Sequence, residues 1–137
     1  MGSAQVILLD THAAVWFTTD SGLGKRSQAI ADKALADDQL MVSAVSFWEV
    51  AMLIAKGRLR SIKSALDLRD IVLNAGISEI PLTGNIAILA GTLDGLHGDP
   101  ADRFIVATAI TFDATLMTAD ATLLHWSHKL KRQNAEK

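Results

Sequence analysis

The chain has 137 residues, half of them hydrophobic and 20% charged, a balance that excludes disorder as the default state and fits one domain over residues 1–137. A formal net charge of −2 excludes bulk electrostatic attraction to a polyanion, so any nucleic-acid contact must come from a local patch. The absence of cysteine excludes disulfides and thiolate metal sites, leaving carboxylate, imidazole and carbonyl as the available ligands.

No apolar run approaches the roughly 18 residues of a membrane span, and the opening residues lack the positive start of a secretory signal. Met1-Gly2-Ser3 reads as an expression scar. The expectation is therefore a soluble, cytoplasmic protein that does not enter a membrane.

Along the chain, "QVILL" (Gln5 to Leu9) is almost uniformly apolar and ends in "DTH", the pattern of a strand buried on both faces of a parallel sheet. An alanine-rich helix is predicted over Ser27 to Ala36, then a strand at "LMVSA" (Leu40 to Ala44). From Ser46 to Lys56, helical spacing places Phe47, Val50, Leu53 and Ile54 on one face, and Gly57 stops the helix. A helix over Ser64 to Asn74 precedes a strand at "ISEI" (Ile77 to Ile80), bracketed by Gly76 and Pro81. Two more helices, Thr83 to Thr92 and Ala101 to Phe112, lead to a strand at "TLMT" (Thr115 to Thr118). The polar end, His128 to Lys137, either forms a short edge strand or frays. Strands alternating with helices give an α/β sandwich around a parallel sheet.

In such folds ligands sit beyond the carboxyl ends of the strands, so polar residues following apolar strands come first. Asp10 follows "QVILL" and Asp120 follows "TLMTA", which brings two carboxylates towards one edge. Glu49 is an acid among Phe47, Val50, Met52 and Leu53. Asp102 occupies the first turn of the helix carrying Phe104, Ile105, Val106 and Ile110. Two carboxylates about 4 Å apart repel by about 4 kcal/mol at an effective dielectric near 20, so a converging set must take up protons or cations. An all-oxygen set selects Mg²⁺ or Mn²⁺ over zinc, and carboxylate-held ions of that kind serve phosphodiester hydrolysis.

The segments "ILLDTHAAVW" (Ile7 to Trp16), "VSAVSFWEVAM" (Val42 to Met52), "HGDPADRFIVATA" (His97 to Ala109) and "LMTAD" (Leu116 to Asp120) resemble, in order and spacing, the four motifs of the PIN domain. Within that family the likeness is to the VapC-type ribonuclease toxins of prokaryotic toxin–antitoxin systems, and it covers nearly the whole chain. The resemblance implies a PIN-like three-layer sandwich, a short parallel sheet flanked by helices. It further implies Asp10, Glu49, Asp102 and Asp120 as metal-binding and catalytic acids, with Thr118 as the hydroxyl accompanying the last of them. Asp10 and Asp102 would be the primary ligands; Glu49 and Asp120 would complete the shell or orient water. The implied activity is Mg²⁺- or Mn²⁺-dependent endonucleolytic cleavage of RNA, as the toxin of a toxin–antitoxin pair. The implied partners are a cognate antitoxin and a second copy in a homodimer, with a toxin–antitoxin hetero-oligomer as the larger assembly. The polar C-terminus departs from the family, whose terminal strand is faint here.

Each acid also has a structural reading. Asp10 and Asp120 each stand where an N-cap would, Glu49 could be a helix-surface acid, and Asp102 suits a helix dipole. Asp99 followed by Pro100 reads as an N-cap with proline at the first helical position, a supporting role rather than a ligand. Arg103 is expected to pair with a cluster carboxylate, contact phosphate, or stay solvated. His12 and His97 read as structural, and Trp16 and Trp48 as packing residues. The basic stretches 56–63 and 129–132 suit a solvated face, RNA or an antitoxin equally. Two rival functions remain on this sequence: a PIN nuclease of RNA processing or DNA repair outside any toxin system, and a metal-dependent binding module without turnover.

Overall fold

The structure, a computed structural model, describes residues 5–96 and 98–137; Met1-Gly2-Ser3 and His97 lie outside the described residues. Its first strand, β1 (Ile7–Leu9), has no solvent-exposed side chain. Alternation along a strand sends Ile7 and Leu9 into one hydrophobic cluster and Leu8 into another. Those two clusters are the two interfaces of a three-layer sandwich.

In chain order the elements are β1, α1 (Thr11–Thr18), α2 (Lys25–Ala36), β2 (Leu40–Ser43), α3 (Ala44–Ala55), α4 (Ala65–Ala75), β3 (Ser78–Ile80), α5 (Gly84–Thr92), α6 (Pro100–Thr111), β4 (Thr115–Thr118), α7 (Ala121–His125) and β5 (Arg132–Asn134). The five strands form one sheet, ordered β3-β2-β1-β4-β5, and every pairing is parallel. One cluster packs Ala13, Ala31, Val50, Leu68 and Val72 of α1 to α4 on Ile7, Leu9 and Val42. Across the sheet, Ala101, Ile105, Val106 and Ala109 of α6 and Leu123 of α7 pack on Leu8 and Leu116. A smaller cluster joins α5 to α6 through Ile86, Ala90 and Ala107. Fully burying one such aliphatic side chain stabilises by about 1.5–3 kcal/mol, so these layers fix where each strand ends.

The expected strands and helices all form, with ends shifted by a residue or two. Two further helices lacked a periodic signal. In α1, "HAAVWF" is apolar nearly throughout and shows no contrast of faces, while α7 is five residues long. Of the two outcomes open to the C-terminus, the edge strand forms. Its side chains are polar, but main-chain bonds such as Leu116 N–H to Lys131 O at 2.9 Å and Ala135 N–H to Thr118 O at 2.9 Å tie the segment to β4. Behind it, Ser27 Oγ donates to Asn134 O at 2.8 Å and Gly24 N–H to Ala135 O at 2.8 Å. The approach at Gly24 is close enough that a Cβ there would lie 2.2 Å from the carbonyl carbon of Lys137, so only glycine fits.

The sheet order makes the site. The chain proceeds outward from β1 through β2 to β3, then returns to β1's other side for β4 and β5. The reversal leaves a crevice beyond the carboxyl ends of β1 and β4, the position where open parallel sheets bind ligands. No helix among the described residues is long and apolar enough to cross a membrane.

Candidate active site

Asp10 follows β1 directly and caps α1, accepting from Ala13 N–H at 2.9 Å through Oδ1. Its Oδ2 accepts a short bond, 2.5 Å, from the Thr118 hydroxyl at the end of β4. Thr118, fully buried, also accepts from Asp120 N–H at 3.0 Å. One hydroxyl therefore locks together the acid-bearing ends of two adjacent strands. Asp120 caps α7, accepting from Thr122 N–H at 2.8 Å and Leu123 N–H at 3.3 Å. The capping and site readings of Asp10 and Asp120 are thus compatible, because a cap fixes the carboxylate that faces the crevice.

Glu49 reaches the same crevice from α3 and Asp102 from the first turn of α6. Asp99 caps α6, donor Ala101 N–H at 3.0 Å, with Pro100 beside it, as the sequence pattern indicates. These five acids line one cleft of about 560 Å³ together with Thr11, His12, Trp16, Leu53 and Gly98. Ile105 and Val106, both fully buried, anchor the helix that aims Asp102.

Among the described residues no acid of this cleft is ion-paired, and His12 is the basic side chain that lines it. Among the described residues the ion pairs are Lys33–Asp37, Arg69–Glu79 and Lys131–Asp113, none of which touches the cleft. Burial, and then the negative charges of Asp120, Glu49, Asp99 and Asp10, push the Asp102 carboxyl up to about 7. Burial likewise raises Asp10, against the opposing hydroxyl of Thr118. Glu49 is raised by burial and by the adjacent Asp99, with the Thr11 hydroxyl opposing. Desolvated carboxylates near like charges must hold protons or attract a cation.

That donor set is oxygen only, the chemistry of a hard divalent cation. Among the described residues no three His, Cys, Asp or Glu side chains already stand gathered to hold one ion. Donor type and charge fit Mg²⁺ or Mn²⁺, with Asp10, Glu49, Asp102 and Asp120 as the candidates to hold it.

Arg103 takes a role none of its expected ones described. Its guanidinium donates to three main-chain carbonyls, Ala90 O at 2.9 Å, Leu93 O at 2.8 Å and Leu96 O at 2.6 Å. It thereby satisfies the end of α5 and pins the loop leading to Gly98 and Asp99, aided by Trp126 Nε1 donating to Asp94 O at 3.0 Å. Nothing local in the sequence reveals those acceptors, which lie up to 13 residues away. Sequence reasoning also missed a buried pair beneath the acids, Thr11 Oγ1 donating to Ser46 Oγ at 3.0 Å. Two hydroxyl residues beside motif acids were the available signal. Of the basic stretches, Lys131 pairs with Asp113, and Arg132 donates to Leu124, Trp126 and His128 carbonyls. Lys56, Arg58, Arg60 and Lys63 remain exposed.

The model of the PIN domain matches residues 7–128. The chain belongs to the PIN-domain family. Ribonuclease VapC22 of Mycobacterium tuberculosis is 32% identical over 124 residues, covering 89% of this chain and 92% of that protein. Among solved structures, VapBC2 from Rickettsia felis bound to a DNA fragment from its promoter superposes with a TM-score of 0.66 at 18% identity, covering 95% of this chain and 98% of the other. DNA-bound VapBC from Salmonella typhimurium gives 0.65 at 12% identity, covering 94% and 97%. At those identities the structural likeness is one of PIN fold, and it includes the five-stranded parallel sheet with its seven helices.

Proposed function

We propose that this PIN-domain chain is a Mg²⁺- or Mn²⁺-dependent endoribonuclease, acting in the cytoplasm as the toxin of a toxin–antitoxin pair. The observation that carries the reading is the cleft at the β1–β4 reversal, where Asp10, Glu49, Asp99, Asp102 and Asp120 gather and, among the described residues, none of them is ion-paired. Similarity to a relative named a ribonuclease, and to a structure from Klebsiella pneumoniae named a toxin–antitoxin complex, supports the substrate class and the antitoxin partner.

A divalent cation bound there would neutralise phosphate oxygens and lower the pKa of water towards neutrality. The residues divide the remaining work. Asp10, held by Thr118 and Ala13 N–H, and Asp102, aimed by the anchored α6, are the primary ligands. Glu49 and Asp120 complete the shell or orient the attacking water. A second copy of the chain is a further proposed partner; exposed Trp48, Leu66 and Ile88, at 49%, 66% and 69%, supply apolar surface for partners to cover.

The test is incubation of RNA with the chain and Mn²⁺, with and without EDTA, beside Asp10→Asn, with the cut ends mapped. The expected result is cleavage by the wild type alone, lost with EDTA and reduced in Asp10→Asn on the order of a thousandfold with the fold retained. Asparagine also caps helices, so α1 should persist. Cleavage that survives EDTA would overturn the metal reading. Cation-dependent stabilisation with no RNA loss would favour a binding module instead.

A further inference from the structure

The cleft is strongly acidic, and an acidic cleft repels the polyanion it must hold. A cation offsets that repulsion at one phosphate, so within the cleft itself the flanking nucleotides are best held by contacts indifferent to charge. The cleft wall contains two large apolar side chains, Trp16 and Leu53. Trp16 lies one helical turn beyond His12 on α1, the helix that Asp10 caps.

The indole is held in an unusual way. Gly22, at φ +98°, lies against it so closely that a Cβ there would fall 2.5 Å from Cγ, 2.7 Å from Cδ2 and 2.8 Å from Cδ1. Near-equal distances to three adjacent ring atoms put that point over the face of the five-membered ring, not at its edge. A glycine in the left-handed region is the one residue that permits this stacking. The turn that brings it there is closed by Ser21 N–H donating to Trp16 O at 3.0 Å. The ring is half-buried, with the core of the α1–α4 side packed against it and the His12 ring 6.2 Å away at a tilt of 52°. With Gly22 over one face, the part of the ring that lines the cleft is presented beside the acids in a fixed orientation.

We propose that Trp16 is a base-stacking platform for a nucleotide flanking the cleaved phosphodiester, and so helps to place the strand in the cleft. The inference rests on the nuclease reading above and names how that site holds its substrate. Stacking of a base on an aromatic ring tolerates every base and is unopposed by the negative field, which makes it the contact an acidic cleft can use. Pre-orientation by Gly22 lowers the ordering cost of binding.

The experiment compares the full chain with Trp16→Phe and Trp16→Leu, using single-stranded RNA oligonucleotides that carry one abasic site at each position around the cut. Leucine keeps apolar packing without a π face, and thermal melting confirms that both variants fold. Trp16→Leu should raise KM roughly ten- to a hundredfold with little change in kcat, and Trp16→Phe should recover most of the loss. One abasic position beside the cut should cost the wild type the same factor and cost Trp16→Leu almost nothing. A folded Trp16→Leu with wild-type KM, or an abasic penalty that persists in it, would overturn the proposal while leaving the nuclease intact. No RNA cleavage by the wild-type chain under any divalent ion would overturn the nuclease reading, and this one with it.

Discussion

The carboxyl edge between β1 and β4 and the seam where β5 meets α2 are both polar regions sewn onto one sheet, yet they treat polarity in opposite ways. At the seam, Asn134 and Ala135 carbonyls, the Ser27 hydroxyl and Gly24 N–H all find partners. Arg132 donates to three carbonyls, although its Nε is buried without a partner. At the acid edge, five carboxylates share one cleft, and burial and mutual repulsion raise Asp102 to about 7. Arg103, beside Asp102, and Arg132, in β5, both give their charge to main-chain carbonyls and not to the acids. The arginine charges are thus used around the cleft and not within it, which leaves its carboxylates perturbed.

Arg103 stands on the border of the two regimes, and removing it should have the largest effect on stability. Arg103→Ala leaves three carbonyls without a charged donor, and at about 1–3 kcal/mol for stranding each group the loss should reach about 3 kcal/mol even if water recovers part of it. A fall in melting temperature of about 10 °C is expected, with weaker cleavage because the loop to Asp99 and Asp102 loosens. Arg103→Lys should restore little, since an ammonium cannot span three acceptors. A melting temperature within a degree or two of wild type would break the distinction between structural and functional charge.

Gly24→Ala tests the seam alone. The added Cβ meets the backbone of Glu136 and Lys137 at 2.2–2.5 Å, so either the C-terminal segment lifts or α2 shifts. Overpacking of this kind costs about 2 kcal/mol. Denaturant melts should show that loss, whereas cleavage measured well below the transition should stay near wild type because the clash at Gly24 is with Glu136 and Lys137, neither of which lines the cleft. Activity lost in proportion to stability would show that seam and cleft are one unit.

How far the sequence foretold each region follows the same divide. Strands such as Leu40–Ser43 and helices such as Pro100–Thr111 were legible because apolar runs and periodic faces are local signals. The acids were legible for a related reason: Asp10 directly after an apolar strand, or Glu49 inside an apolar helix, is conspicuous where it stands. β5 was legible only as one of two outcomes, because polar Arg132–Asn134 owes its strand to main-chain pairing with β4 and to a bond from Ser27 of α2, 107 residues away. The carbonyls that occupy Arg103 and the glycine that clamps Trp16 lie within 13 residues, yet they were hidden too, because a loop's path and a main-chain acceptor leave no side-chain pattern to read.

The smallest expected effect concerns pH, and it is the one that reads the acid edge most directly. Unfolded Asp102 titrates near 3.8, and folded near 7, so between those values the folded chain keeps a proton that the unfolded chain has lost. Without added metal, this term is fully favourable below about pH 4 and is lost as pH rises to about 7; the raised Asp10 and Glu49 act in the same direction. Glu79 does the opposite, because Arg69 beside it holds it below the usual range, and its contribution disappears only as pH falls into the acid region. A melting series in EDTA from pH 5 to pH 8 should therefore show a decline of about 5 °C, discounted for the partial exposure of Asp102. Mg²⁺ should substitute for the missing protons, raising the melting temperature more at pH 8 than at pH 5. In Asp102→Asn the decline should flatten, the metal-free melting temperature at pH 8 should rise, and the response to Mg²⁺ should shrink. A pH-independent wild type would mean that the acids are solvated enough to ionise without cost, and the contrast between edge and seam would then lie in geometry alone.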